Sequence, residues 1–278
     1  MKATARPLQS IGRMPPDPAL VITTYTQAAD TFDALPFWHH YGRLTVERAG
    51  VRTGERVLDL CCGTGASALP AARAVGRTGS VLGVDLTPAL VDVARTNAAR
   101  QGLTQARFET GDVTALAFPP ASFDVVQSVF GIFFLPDMAA MLRAAWDWLA
   151  PGGRLVTTVW GQTVLSPGEP YFWEAVRRED PSLDHISPAA LLAEPDALVA
   201  LHAAAGIGVP EVTRESWRMP IGSAEAFWPV IMGTSSRGVF EALPEDARTR
   251  VKHATIDRLR AEGVDALDMD ARIAVARK

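Results

Sequence analysis

The run Arg56-Val57-Leu58-Asp59-Leu60-Cys61-Cys62-Gly63-Thr64-Gly65 decides the fold. Its first five residues form a short apolar stretch of the kind that becomes a buried strand. The stretch breaks at once into a Gly-rich turn, and helical character resumes over residues 66–75. Gly63 and Gly65 open backbone angles closed to other residues and let a ligand touch the main chain. A turn of this kind alone fits several classes of ligand site.

The chain repeats the same alternation downstream. Residues 76–79 stop the helix with glycines at both ends, and Ser80–Asp85 reads as a second strand. Thr87 and Pro88 suit the N-cap and first position of a helix that runs to about Gln101 and ends at Gly102. Ala106–Thr110 reads as a third strand, leading into Gly111-Asp112, and Phe123–Val129 as a fourth. A helix over 137–149 precedes Pro151-Gly152-Gly153, which is expected to turn the chain into a strand over 154–160. Strands separated by helices of this length make a parallel sheet with crossover helices, and near-continuous apolar strands fit a sheet covered on both faces. Beyond Trp160 helices are expected over 171–178, 194–205, 223–232 and 244–261, with a weak strand over 209–219. Residues 271–277 alternate apolar and basic, as an antiparallel strand does. The resulting organisation is a flexible tail (1–18), an N-terminal helical cap (19–50), a ligand-binding core (51–160) and the rest of the same domain with helical lid insertions and final strands (161–278).

Charge decides what the turn holds. The same residues fit Gly-x-Gly-x-x-Ala, a permitted form of the dinucleotide fingerprint. A dinucleotide lays its pyrophosphate over this turn at the positive end of the following helix, and Asp59 would repel it. S-adenosylmethionine has no phosphate. It offers an ammonium, a carboxylate and a sulfonium cation, so Asp59 can hold the ammonium directly or through water. Asp85 can accept both ribose hydroxyls, a device that NAD-binding proteins share. Asp112, after the third strand, can accept the adenine amino group while Val113 offers a backbone N–H. Each residue has a plainer reading: the glycines as turn formers, Asp85 as a helix cap, Asp112 as the start of a turn. In this order and spacing the three acids point to S-adenosylmethionine as cofactor. Cys61, Gly63, Gly65, Leu86 and Val129 complete the expected contacts.

The segments at 57–65, 81–86, 111–113 and 149–155 resemble the successive motifs of class I S-adenosylmethionine-dependent methyltransferases, nearest in flavour to the ubiquinone/menaquinone-biosynthesis-like small-molecule group. The resemblance covers about residues 51–160 and, more loosely, the final strand. It implies an α/β, Rossmann-like, seven-stranded and mostly parallel sheet with helices on both faces and the last strand antiparallel. It also implies that Tyr25 lies near the methionine end of the cofactor.

Composition narrows the partners. A net charge of −4 with no basic cluster argues against nucleic acid, and the arginines of the last third alternate with acids as on a solvated helix face. The two cysteines are adjacent, which suits neither an unstrained disulfide nor a zinc site. No metal site is expected. The first residues lack the apolar core of a signal peptide, and the most apolar stretch is too short to span a bilayer. A cytoplasmic monomer or homodimer acting on a small molecule is the expectation.

Methyl transfer from a sulfonium is an in-line displacement that needs alignment and exclusion of water. Ligands of open parallel sheets lie outside the carboxyl ends of the strands. Segments able to cover that edge carry Trp38, Phe134, Trp160, Trp173 and Trp228, expected to line an apolar acceptor pocket. His39 and His40 are the candidate general bases, because imidazole titrates near neutrality. No Asn/Asp-Pro-Pro-aromatic motif follows the fourth strand, which favours a small organic acceptor over nucleic acid or protein. The motifs also fit an enzyme that consumes the same cofactor without methylation, by cyclisation or aminocarboxypropyl transfer.

Overall fold

Apolar strands of five to seven residues form where they were expected: β1 (Arg56–Leu60), β2 (Ser80–Asp85), β3 (Ala106–Thr110) and β4 (Phe123–Val129). In the computed structural model, which describes residues 17–183, 188–194 and 196–278, they join β5 (Leu149–Trp160), β6 (Glu211–Pro220) and β7 (Ala266–Arg277). The strand order is β3-β2-β1-β4-β5-β7-β6. The first five strands run parallel, and β7 is inserted antiparallel between β5 and β6. The chain order reverses beside β1, between β1 and β4, which is where open sheets of this class leave a crevice.

Two boundaries differ from the sequence reading. β5 begins at Leu149, but its pairing with β4 shifts register across Pro151-Gly152-Gly153, where Gly152 takes a φ of +78°, and runs regularly from Arg154. The amide of Gly152 donates to the Lys278 carbonyl and that of Lys278 to the Gly153 carbonyl, so Lys278 ties this irregular stretch to the sheet. β7 begins at Ala266. There Leu267 and Met269 are buried and Asp270 takes a 2.8 Å bond from Arg214 Nε, so carboxylates interrupt the pattern without ending the strand.

Crossover helices α3 (Ala68–Val75), α4 (Pro88–Arg100) and α5 (Met138–Trp148) cover the sheet. Asp137 caps α5 by accepting from the Ala140 amide at 2.8 Å. Ahead of them stand α1 (Pro18–Phe32) and α2 (Pro36–Ala49). The residues before 17, where the tail was expected, lie outside the described ones, and Pro18 already opens α1. After β5 come α6 (Gly168–Glu179) and α7 (Ala197–Ala204). Three more helices follow β6: α8 (Phe227–Met232), α9 (Ser236–Ala242) and α10 (Glu245–Ala261). The sequence reading did not anticipate α9, a helix of two turns.

α2 is the element that brings the N-terminal segment onto the sheet. Its inner side buries Phe37, Tyr41 and Thr45; Tyr41 donates to the Met269 carbonyl and Thr45 meets Thr158 at 2.7 Å. Its carboxyl end is held by Arg154 of β5, which donates to the carbonyls of Ala49 and Gly50 and pairs with Glu55. Gly42 lets α2 approach the glycine loop backbone to backbone: a Cβ there would lie 2.1 Å from the Ala66 carbonyl oxygen. Gly42→Ala is therefore expected to cost about 1–3 kcal/mol by overpacking. Gly208→Ala, where nothing lies within 4 Å, should stay within about 0.5 kcal/mol of wild type in the same urea titrations.

Candidate functional site

At the carboxyl ends of β1, β2 and β4 the backbone opens a cavity. Gly63, Asp85, Asp112, Val113 and Val129 line it below, while Tyr25, Phe32 and Trp38 line it from α1 and α2. Cys61 and Leu86 are also on its wall. Asp85 Oδ2 accepts from the Gly63 amide and Oδ1 from the Thr87 amide, both at 2.9 Å. Asp85 thus orders the turn that leads into α4, whose N-cap Thr87 makes no side-chain cap bond. Asp112 Oδ1 takes the Thr114 amide at 2.8 Å and the Thr114 hydroxyl at 2.7 Å, capping the short turn Val113–Ala115. The plainer reading holds for Asp112, Asp85 ties the turn before α4 without capping it, and both stand on the cavity wall.

Two expected contacts are placed differently. Gly65, at a φ of +88°, faces Leu69 and Phe108 and not the cavity. It serves the turn, because a left-handed φ is ill suited to a residue with a side chain. Asp59 stands behind the wall, 1% exposed, with Oδ2 accepting from Ser67 Oγ at 2.6 Å. Its Oδ1 makes no hydrogen bond of good geometry among the described residues, and the Gln127 side chain lies beside it on the neighbouring strand. Burial pushes the Asp59 carboxyl up to about 7; the Ser67 hydroxyl and the Gln127 amide oppose the shift and the charge of Asp85 adds to it.

This donor set tests which ligand fits. The described residues on the wall include two aspartates and no lysine or arginine. Such a lining disfavours a pyrophosphate and suits a cationic, phosphate-free ligand. The Asp59 carboxylate directly behind Ser67 adds negative charge that an ammonium, reached through Ser67 or a bridging water, would favour. The residues therefore fit S-adenosylmethionine.

A second chamber adjoins the first. Tyr25, Trp38, Phe130 and Phe134 border both. Phe130 leaves β4 in a left-handed conformation, φ 57°, and stacks on Trp160 with centroids 3.6 Å apart. Trp38 stacks on Phe32 at 4.7 Å and meets Phe130 edge-on. The rest of the wall includes Phe37, Trp160, Gln162, Glu169, Met269 and the stretch Thr234–Ser236.

Of the expected acceptor-lining residues, Trp38, Phe134 and Trp160 line this chamber. Trp173 and Trp228 pack the lid helices instead. Trp173 meets Phe172 on α6, and Trp228 meets Phe240 on α9. The two histidines face away from both chambers. His39 sits on the outer side of α2, with Nε2 3.3 Å from the Asp33 carbonyl, and His40 stacks on Trp217 of β6 at 4.4 Å. Burial and Arg43 push the His40 imidazole below its usual range. The reason is helical phase: Trp38 and Tyr41 take the inner positions and turn the residues between them outward. His185 lies outside the described residues. The group that sequence reasoning missed is Glu169.

The adjacent cysteines are free, with Cys62 buried over Gly83 and Cys61 against Gly131. Among the described residues no group of three or more His, Cys, Asp or Glu side chains could hold a metal, and no helix is long and apolar enough to cross a membrane.

Comparison with known proteins agrees with this geometry. The methyltransferase-domain profile matches residues 57–153. Nocamycin O-methyltransferase of Saccharothrix syringae is 30% identical over 196 residues, 70% of this chain and 69% of that one. The chain belongs to the S-adenosylmethionine-dependent methyltransferase family. Aklanonic acid methyltransferase DauC of Streptomyces sp. (strain C5) is 38% identical over 140 residues, 50% of this chain and 64% of that one. The match spans 44% and 51% of the demethylmenaquinone methyltransferases of Lactococcus lactis and Oceanobacillus iheyensis. The chain thus spans about half to two thirds of the length of the curated relatives it matches. The YcgJ crystal structure from Bacillus subtilis shares the fold, with a TM-score of 0.55 and 22% identity over 86% of this chain and 98% of that one.

The raised Asp59 carboxyl sets a pH signature for the protein without ligand. Between about 3.9, its unfolded value, and about 7, the folded state keeps a proton that the unfolded chain has released. Stability therefore falls as pH rises through that window. Asp59→Asn carries no such titration. Its urea-derived stability should decline less than that of wild type between pH 5 and 8, by about 2 kcal/mol; parallel declines would contradict the assignment.

Proposed function

We propose that this protein is a methyltransferase that moves a methyl group from S-adenosylmethionine to a small, partly apolar organic acceptor. The observation that carries the reading is the pairing of a cation-suited cavity at the switch point with an aromatic chamber that shares its wall. S-adenosylmethionine supplies, when bound, a methyl group activated by its sulfonium. Asp85 would hold the ribose hydroxyls with the lone pairs its two amide bonds leave free. Asp112 would receive the adenine amino group on the oxygen that Thr114 does not use, and Val113 would present its amide. Asp59 would act through Ser67 or a water, since it lies behind the wall. Tyr25, Trp38, Phe130 and Phe134 would orient the acceptor and exclude water from the junction.

A cyclase or aminocarboxypropyl transferase would use the same cavity, and the reaction product separates these readings. Turnover of S-adenosylmethionine with a panel of aromatic and polycyclic hydroxylated acceptors is expected to yield S-adenosylhomocysteine. Methylthioadenosine as sole product would defeat methyl transfer. By calorimetry, Asp85→Ala should bind S-adenosylhomocysteine at least about 10-fold more weakly, from the loss of two hydrogen bonds to a charged group. Unchanged affinity would remove Asp85 from the site.

A further inference from the structure

One carboxylate stands on the acceptor chamber wall that neither the strand-end acids nor the histidines account for. Glu169 lies in the first turn of α6, a helix whose inward residues are Phe172, Trp173 and Val176. These follow Glu169 by three, four and seven positions, the spacing of a single helix face. Glu169 therefore occupies a place where the period calls for an apolar side chain. Trp173 Nε1 donates to its Oε1 at 3.4 Å, which restrains the carboxylate. No lysine or arginine is among the described residues of the chamber wall, and no other carboxylate is either. Among the described residues Tyr25 is the one further titratable side chain on that wall. Burial pushes the Glu169 carboxyl above its usual range, with the Trp173 N–H opposing. A half-buried acid with no cation beside it among the described residues of the wall gains nothing for stability there, so its position calls for a role other than holding the fold.

The indole N–H of Trp38, on the wall between the chambers, is buried and has no partner among the described residues. An acceptor and a donor thus project into a largely apolar lining whose other polar side chains include Gln162, Thr234, Ser235 and Ser236 among the described residues, which is the usual build of a site for an apolar molecule with few polar groups.

We propose that Glu169 is the general base of the acceptor chamber and that the acceptor is an aromatic molecule methylated on a hydroxyl oxygen. This rests on the methyl-transfer reading above. A carboxylate oxygen of Glu169 takes the hydroxyl proton, and the electron pair of the broken O–H bond stays on the acceptor oxygen. That oxygen bonds to the methyl carbon of the sulfonium donor as the methyl–sulfur bond breaks, its pair going to sulfur. One positive and one negative charge disappear together, leaving a neutral ether, a neutral thioether and a protonated Glu169, which then returns its proton to solvent. A phenol is mostly protonated near neutrality, so a base in contact with it is worth about 10²–10⁴-fold.

Two measurements test the assignment. With 2-naphthol and 2-methoxynaphthalene as calorimetric probes and no cofactor present, wild type should favour the naphthol by about 10-fold, as a hydrogen bond to a charged group gives. Glu169→Leu, which completes the apolar stripe, should reduce that preference to within about 2-fold. With an acceptor that wild type methylates, Glu169→Gln should turn over at least about 100-fold more slowly while binding S-adenosylhomocysteine as wild type does. Equal probe affinities in wild type, or Glu169→Gln turnover within about 3-fold of wild type, would overturn the proposal. Absence of S-adenosylhomocysteine with every acceptor would defeat the methyl-transfer reading instead, and the naphthol preference would still report on the carboxylate.

Discussion

Three carboxylates hold the glycine loop, and the rest of the site depends on that hold. Asp59 takes the Ser67 hydroxyl, Asp85 takes the Gly63 amide, and Asp33 takes the Thr64 hydroxyl while also receiving Asn97 of α4. A loop that must present open backbone to a ligand buries few apolar side chains of its own, here Cys62. Its order has to come from polar bonds made on its far side. The arrangement concentrates negative charge in a poorly solvated region, and the raised carboxyls of Asp59 and Asp85 record the cost. A cationic ligand relieves that cost and an anionic one adds to it. The same bonds that order the loop therefore select what it binds.

The acceptor side is built on a different principle. Cys61 and Phe130 leave neighbouring parallel strands in left-handed conformations, φ 59° and 57°. Residues with side chains seldom adopt such angles, and they persist where surrounding packing fixes them. Phe130 is fixed by its stack on Trp160 and its amide bond to the Thr158 carbonyl at 2.9 Å. Tyr41 and Trp38 brace it from α2. The wall between the chambers is thus an aromatic cluster braced by the N-terminal half of α2. A shift of α2 would disturb loop and wall together, because Gly42 seats the same helix on Ala66.

What could be read from the chain follows from how local each feature is. β1 to β4, the acids at the ends of β1 and β2, and Asp112 just after β3 each rest on fewer than ten consecutive residues. Periodicity and turn chemistry place such features directly. Asp59 was read as the acid that opens the loop; it stands on β1, and its position behind Ser67 depends on how the turn folds over it. The two histidines show the limit of chemical type as a guide. Imidazole suits a base, but the phase of α2, set by Phe37, Trp38 and Tyr41, turns both outward. Trp173 and Trp228 failed as lining residues for a related reason, since large aromatics satisfy a lid's own core before they reach a cavity. β7 was under-read because Asp268 and Asp270 interrupt an alternation that pairing with β6 sustains.

Glu169 was nevertheless legible in principle. Within Gly168–Glu179 the apolar face reads Phe172, Trp173, Val176, and extending it one turn toward the N-terminus lands on an acid. At a helix start an acid has an ordinary explanation, because it complements the positive end of the dipole. That explanation applies to any position in the first turn and says nothing about which face the acid takes. An acid serving the dipole alone gains by staying in water, where its charge is not penalised. Glu169 is instead on the inner face, against Trp173 and the chamber. The dipole does not account for the choice of face; a ligand in the chamber does.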